Sequence, residues 1–221
     1  MIVDERIITF INSLDTKNSE ILEDIEREAL ADNVPIIRRE MQSFLKVLLM
    51  VKKPMRVLEV GTAVGFSALL MSEYVPEECA ITTIENYEKR IPIARQNFVR
   101  AGKEKKITLL EGDAMDVLKT LEGPYDFIFM DAAKGQYIHY LPEILRLLAK
   151  DGILVSDNVM QDGDVIESRF AVERRDRTIH ARMREYLYEL KHNDALVTSI
   201  IPLGDGVALS VKKEVGTDIA Q

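Results

Sequence analysis

The sequence predicts an α/β protein built on a doubly wound, seven-stranded, mostly parallel sheet, with extra N-terminal helices and a C-terminal antiparallel hairpin. Three observations predict it. Five strand-like segments alternate with helical ones between residues 55 and 158. Each of the five ends at or near an acid: Glu59, Glu85, Asp113, Asp131 and Asp157. Two further strand-like runs then flank Asp205-Gly206, a hairpin signal.

The first 51 residues read as helices. Residues 3–11 form a short one, 19–31 a charged amphipathic one, and 35–51 a third. In the third, Ile36, Ile37, Met41, Phe44, Leu45, Leu48 and Leu49 recur at helical spacing, and Pro35 suits a first-turn position. From Met55 the period changes. Strands MRVLEVG, AITTIEN, KITLLEGD, YDFIFMD and GILVSDN alternate with helices FSALLMSEY, YEKRIPIARQNFVRAG, AMDVLKTL and residues 136–149. Gly102 stops the second of these helices. Right-handed crossovers make such a sheet parallel. A long link over 159–176 follows, of the kind that forms lids beside ligand edges. Residues 177–192 are a helix, TSIIPLG and VALSVKK are the hairpin strands, and 216–221 are a frayed tail. The chain therefore reads as one domain, with N-terminal helices over 1–51, a core over 52–213 and a tail over 214–221.

Composition excludes several classes. With 47% hydrophobic and 30% charged residues, the chain is of ordinary globular type. No apolar run approaches the roughly 20 residues that span a bilayer, and the N-terminus lacks a basic-then-apolar leader layout. A lone Cys79 allows no internal disulfide and reads as a packed or surface thiol. These features point to the cytoplasm and away from a membrane. A net charge of −8 argues against a general nucleic-acid coating, though a local basic patch remains compatible with it.

The strand-end acids share one edge of a parallel sheet and would crowd a single cleft. The turn at 61–65 (GTAVG) lets backbone approach a ligand, although it is not GxGxxG. Glu59 before it disfavours a pyrophosphate and suits a cationic group. Glu85 is placed to accept from a ribose diol, and Asp113, beside Ala114, to meet an adenine amino group. S-adenosylmethionine, phosphate-free and cationic, fits such a cleft better than a dinucleotide does. Asp131 on one strand end and Asp157-Asn158 on another supply an all-oxygen set for Mg²⁺ or Mn²⁺.

The motifs VLEVGTAVGFSALLM, IENYEKR, EGDAMDVL, YDFIFMDAAKGQY, GILVSDNV and PLGDGVALSVKK resemble those of the class I, metal-dependent O-methyltransferases, the family of catechol and caffeoyl-coenzyme A enzymes. The resemblance covers roughly residues 33–213 and implies a Rossmann-like class I methyltransferase fold. It implies that Asp131, Asp157 and Asn158 hold the metal, and that Ile37, Ser67, Glu85, Asp113 and Asp131 line the cofactor site. Gly61 would make the tight turn, and Lys134 matches the family's catalytic lysine, as proton acceptor or oxyanion stabiliser. It also implies a homodimer. Within the family, NVPI, DAAKGQY and the arginine-rich segment after SDNV are most similar to bacterial tRNA 5-hydroxyuridine methyltransferases. Ala132-Ala133 stand where the catechol enzymes carry larger residues, which implies room for a bulkier acceptor.

Arg169, Arg174, Arg175, Arg177, Arg182 and Arg184 form the local basic patch, opposed by Glu173 and Asp176, with Arg38 and Arg39 as an extension. Guanidinium forks suit phosphate. The patch therefore favours tRNA as acceptor, with catechol-like phenols as the rival class. His180 reads as a surface or backbone contact and His139 as an ordinary helix residue.

Overall fold

In the computed structural model, which describes residues 2–214, eight α-helices surround one seven-stranded sheet among the described residues. The chain runs α1 (Glu5–Ser13), α2 (Glu20–Ala31), α3 (Arg39–Lys52), β1 (Arg56–Val60), α4 (Phe66–Tyr74), β2 (Ala80–Glu85), α5 (Ile91–Arg100), β3 (Ile107–Glu111) and α6 (Ala114–Thr120). It continues through β4 (Tyr125–Met130), α7 (Tyr137–Leu147), β5 (Leu148–Ser156), α8 (Arg177–His192), β6 (Leu196–Ile201) and β7 (Val207–Lys212), with 3₁₀ turns at Lys134–Gln136 and Gln161–Ile166. The expected tail beyond 214 lies outside the described residues.

The strand order is β3-β2-β1-β4-β5-β7-β6. Strands β1 to β5 pair in parallel, and β7 pairs antiparallel with both β5 and β6, so the expected fold class is the observed one. Because helices cover both faces, the central strands are apolar on both. Val57, Phe127, Phe129 and Val155 pack with α2, α3, α4 and α5 through Leu22, Met41, Leu45, Phe66 and Phe98. Their alternates Leu58, Val60, Ile128, Met130 and Leu154 pack on the other face with α6, α7 and α8 through Leu118, Tyr137, Ile144, Met183 and Tyr186. Burying one such side chain completely is worth about 1.5–3 kcal/mol.

Several element bounds differ from the sequence expectation, and two of the differences shape the site. Helix α3 begins at Arg39 rather than Pro35, because the chain is still extended at Arg38 (φ −66°, ψ 157°). The Ile37 carbonyl instead accepts from Gln42 Nε2 at 3.1 Å. Residues 35–38 thereby become a rim. Helix α5 begins at Ile91, with Pro92 in its first turn where no amide donor is needed. Tyr87 to Arg90 stay out as a turn at the edge of the sheet. Strand β5 starts at Leu148, taking the last residues expected of the preceding helix.

Candidate active site

Register delivers the site residues to one edge. Val60 lies opposite Ile84 and Met130, and Met130 opposite Ser156. The residues that complete or follow these strands, Gly61, Glu85, Asp131 and Asp157, therefore emerge side by side where the strand order turns from β1 to β4. They line a cavity of about 540 Å³ together with Ile37, Arg38, Ser67, Tyr87, Arg90, Gly112, Ala114, Ala132, Ala133, Lys134, Tyr140 and Asn158. That volume is in the range of small-molecule sites.

Gly61 permits the convergence. Its φ is +105°, and a Cβ there would lie 2.1 Å from the Asp131 carbonyl oxygen, so the first turn rests directly on the end of β4. Glu85 is fixed by backbone donors: Ala63 N–H at 2.7 Å to one oxygen, and Asn86 and Tyr87 N–H at 3.0 and 2.9 Å to the other. The first oxygen, with a single donor, keeps an acceptor site, while the second is filled by its two, so Glu85 can still accept from a ligand hydroxyl.

Two expected cofactor contacts are placed otherwise. Glu59 is fully buried behind the wall, where Ser67 and Thr83 hydroxyls donate to it at 2.5 Å each. Burial pushes its carboxyl up to about 7 despite those two donors. It accepts from Ser67, which does line the cavity, and is not itself among the lining residues. The reason is positional: Glu59 is the penultimate residue of β1, level with Thr83 and Phe129 and two register positions inside the edge that Gly61, Glu85 and Asp131 form. Asp113 caps α6, accepting from Met115 N–H at 2.9 Å, and the wall there is made by Gly112 and Ala114.

Asp131, Asp157, Asn158 and Lys134 meet in the cavity. Lys134 Nζ donates to Asp131 at 2.8 Å and to the Tyr137 hydroxyl at 3.1 Å. Two acceptors define an ammonium. Burial alone would lower the Lys134 pKa, but Tyr137 and Asp131 outweigh it and the net shift is upward. Asp157, nearly inaccessible, accepts from Asn158 N–H at 2.7 Å. Its carboxyl is pushed up to about 7, first by burial and then by the charge of Asp131. Two carboxylates against one ammonium leave a residual negative charge, and with the Asn158 amide they form an all-oxygen donor set. Such a set fits a hard divalent cation. Among the described residues no group of three or more His, Cys, Asp or Glu is arranged to hold a metal; this set includes an amide instead.

The arginines separate into two kinds. Arg177, Arg182 and Arg184 donate to the carbonyls of Val172, Gly135 and Val165 at 3.2, 3.1 and 2.8 Å. Each thus spends a donor on holding a neighbouring carbonyl, which their spacing did not suggest; Arg177 and Arg182 are half-buried and Arg184 is exposed. Arg39 pairs with Glu26 at 3.0 Å, and Arg175 with Glu173 at 3.0 Å. Arg38 lines the cavity, while Arg169 and Arg174 are exposed and make no hydrogen bond or ion pair among the described residues. His180 is buried, with Nε2 3.2 Å from the Glu167 carbonyl, so it is a backbone contact and not a surface one.

Sequence reasoning missed two features. Tyr137 is the hub beneath the site: its hydroxyl lies 3.0 Å from the Met130 carbonyl and 3.2 Å from that of Asp157, and it accepts from Lys134. Its place three residues after Lys134, at the head of a helix, was the available signal. The second is the Tyr87–Arg90 turn, with the guanidinium 5.3 Å from the ring centroid, which walls the cavity beyond Glu85.

A profile of the family described as O-methyltransferase matches residues 12–213. Caffeoyl-CoA O-methyltransferase 2 of Populus trichocarpa is 32% identical over 183 residues, 75% of this chain and 70% of that protein. Catechol O-methyltransferase of Niastella koreensis is 34% identical over 128 residues, 56% of this chain and 58% of that protein. The matched stretch thus spans less than two thirds of the latter relative's length. Among solved structures, an SAH-bound methyltransferase of Podospora anserina superposes with a TM-score of 0.86 at 27% identity, covering 95% of each chain.

Proposed function

The chain belongs to the O-methyltransferase family, and from that premise we propose that it transfers the methyl group of S-adenosylmethionine to the 5-hydroxyl of 5-hydroxyuridine at the wobble position of tRNA, in the cytoplasm. The observation that carries an RNA acceptor is the set of cations without a hydrogen bond or ion pair among the described residues, in the cavity wall and on the segment after Asn158. Arg38 stands in its wall, and Arg169 and Arg174 stand on the segment that leaves Asn158. The small Ala132 and Ala133 side chains in the wall leave room for a nucleoside.

In this reading Glu85 accepts from the cofactor's ribose diol, while Ile37, Gly61, Ser67, Ala114 and Asp131 form the rest of its bed. Gly112 and Ala114, rather than the Asp113 carboxyl, receive the adenine end. Asp131, Asp157 and Asn158 would hold Mg²⁺, or Mn²⁺ in its place. When bound there, such an ion supplies Lewis acidity to a substrate hydroxyl. The 5-hydroxyl and 4-carbonyl of the base are vicinal, as the two oxygens of a catechol are, so the donor set suits either. Lys134, donating to Asp131 and Tyr137, acts as a fixed positive charge beside the reacting oxygen and orients Asp131. Tyr137 holds Lys134 in place from below. Much of the rate then comes from alignment of the oxygen with the methyl carbon.

A second reading has one specific support, the names of the relatives: a small catechol-like or caffeoyl-CoA-type phenol as acceptor. The discriminating experiment offers labelled cofactor and Mg²⁺ with either bulk tRNA from cells lacking the gene or free catechols. Transfer to tRNA that falls steeply with salt supports the first reading. Fast catechol turnover with no transfer to tRNA at low salt overturns it. We also propose a homodimer through α1 and α3, because no residue of α1 is buried and Ile7, Phe10, Leu14, Val47, Met50 and Val51 are exposed.

A further inference from the structure

Phe170 has 87% of its surface exposed, the highest value among the exposed large apolar residues. A single exposed apolar side chain is ordinary. Its setting is not. The segment carrying Phe170 is firmly based: Val165 and Val172 are buried on either side of it, Arg184 holds the Val165 carbonyl, Arg177 holds the Val172 carbonyl, and His180 holds that of Glu167. A tight turn then projects the ring. Ala171 N–H bonds to the Ser168 carbonyl at 2.8 Å, and Phe170 N–H to the Ser168 hydroxyl at 3.3 Å. The two guanidinium groups of this stretch that bind nothing among the described residues are those of Arg169, adjacent in sequence, and Arg174. A fixed turn thus offers solvent one flat aromatic face and two unpaired forked cations, on the segment that begins at Asn158.

That pairing is the chemistry of single-stranded nucleic acid: an aromatic face for a base and guanidinium forks for the phosphates beside it. We propose that Phe170 stacks on an unpaired base of the RNA acceptor neighbouring the nucleotide in the cavity, while Arg169 and Arg174 contact the adjoining phosphates. The proposal rests on the RNA reading above and narrows it. Of the six arginines in the basic stretch, two touch RNA and two, Arg177 and Arg184, hold the platform they stand on.

The test compares the wild-type protein with Phe170→Ala and Phe170→Trp by two readouts. The first is the ratio of kcat/KM on tRNA to kcat/KM on free 5-hydroxyuridine. The second is the affinity for a short single-stranded RNA carrying 2-aminopurine, followed by its fluorescence. Phe170→Ala is expected to lower both by roughly tenfold, and Phe170→Trp to restore them, in keeping with base–aromatic stacking. If the wild type methylates tRNA and Phe170→Ala leaves both readouts unchanged, the platform is overturned and the RNA reading stands. If the wild type transfers no methyl to tRNA but Phe170→Ala still loses the labelled RNA, the platform stands and the acceptor assignment falls. Equal losses on tRNA and on the free nucleoside would overturn the platform by making Phe170 a wall of the acceptor cavity. A change in sedimentation on substitution would also overturn it, by making the ring a contact between copies of the chain.

Discussion

Glu59 shows how a residue can belong to a site without touching its ligand. Its folded pKa of about 7 exceeds the ordinary 4.5, so between those values the folded chain keeps a proton that the unfolded chain has lost. Its contribution to stability is therefore full below about pH 4.5 and is lost as pH rises through about 7, on the order of 3 kcal/mol. Urea midpoints for Glu59→Gln should fall less between pH 5 and 8 than those of the wild type. An identical pH profile would remove Glu59 from the account. At Gly61, alanine would combine a left-handed conformation with a clash against the Asp131 carbonyl, at about 2–5 kcal/mol. Thermal unfolding of Gly61→Ala should show that loss, with cofactor binding weakened as well. At this scale the sequence was legible where an acid ends its strand and faces out, as Glu85 and Asp131 do. It was misleading where the acid lies two register positions inside the edge they form, as Glu59 does level with Thr83 and Phe129, because the same face of a strand is covered there by the helices packed on it.

At the scale of elements, α8 is the part whose purpose the spacing concealed. A run of arginines on a helix reads as a phosphate surface, yet Arg177, Arg182 and Arg184 reach backbone carbonyls of neighbouring segments. Periodicity cannot distinguish these uses, because acceptor carbonyls on other segments leave no trace in the helix's own sequence. The two kinds of arginine predict different outcomes. Arg169→Ala should reduce the salt dependence of RNA binding by about one counterion. Arg184→Ala should leave that slope unchanged and instead raise hydrogen exchange within residues 159–176, since it leaves the Val165 carbonyl unpaired. If both variants changed only the salt slope, the clamp would be refuted. The late start of α3 was hidden for a related reason. Pro35 is compatible with a first helical turn, and only the contact between Gln42 and the Ile37 carbonyl shows that the chain remains extended there.

For the whole molecule, the alternation of five apolar strands with helices was sufficient to specify the sheet, its direction and its ligand edge. The proposed self-association is less visible, since an exposed apolar helix face has no sequence mark that separates it from a buried one. Phe10→Asp on α1 should shift sedimentation toward the monomer with little change in melting temperature, because Phe10 is largely exposed in the single chain. An unchanged sedimentation profile would exclude this face as the dimer contact. The β6–β7 turn carries a further consequence. Val159 N–H bonds to the Gly206 carbonyl, Met160 N–H to that of Asp205, and Asp162 N–H to the Asp205 carboxylate, so the backbone beside Asn158 is fastened by residues some fifty positions later. During synthesis, a growing chain that has already emerged through Asn158 still lacks these fastenings. The backbone after Asn158 is fastened only when the hairpin joins the sheet, so ribosome-bound chains ending before that turn are expected to bind S-adenosylmethionine poorly, and activity would come as one of the last events of the protein's own production.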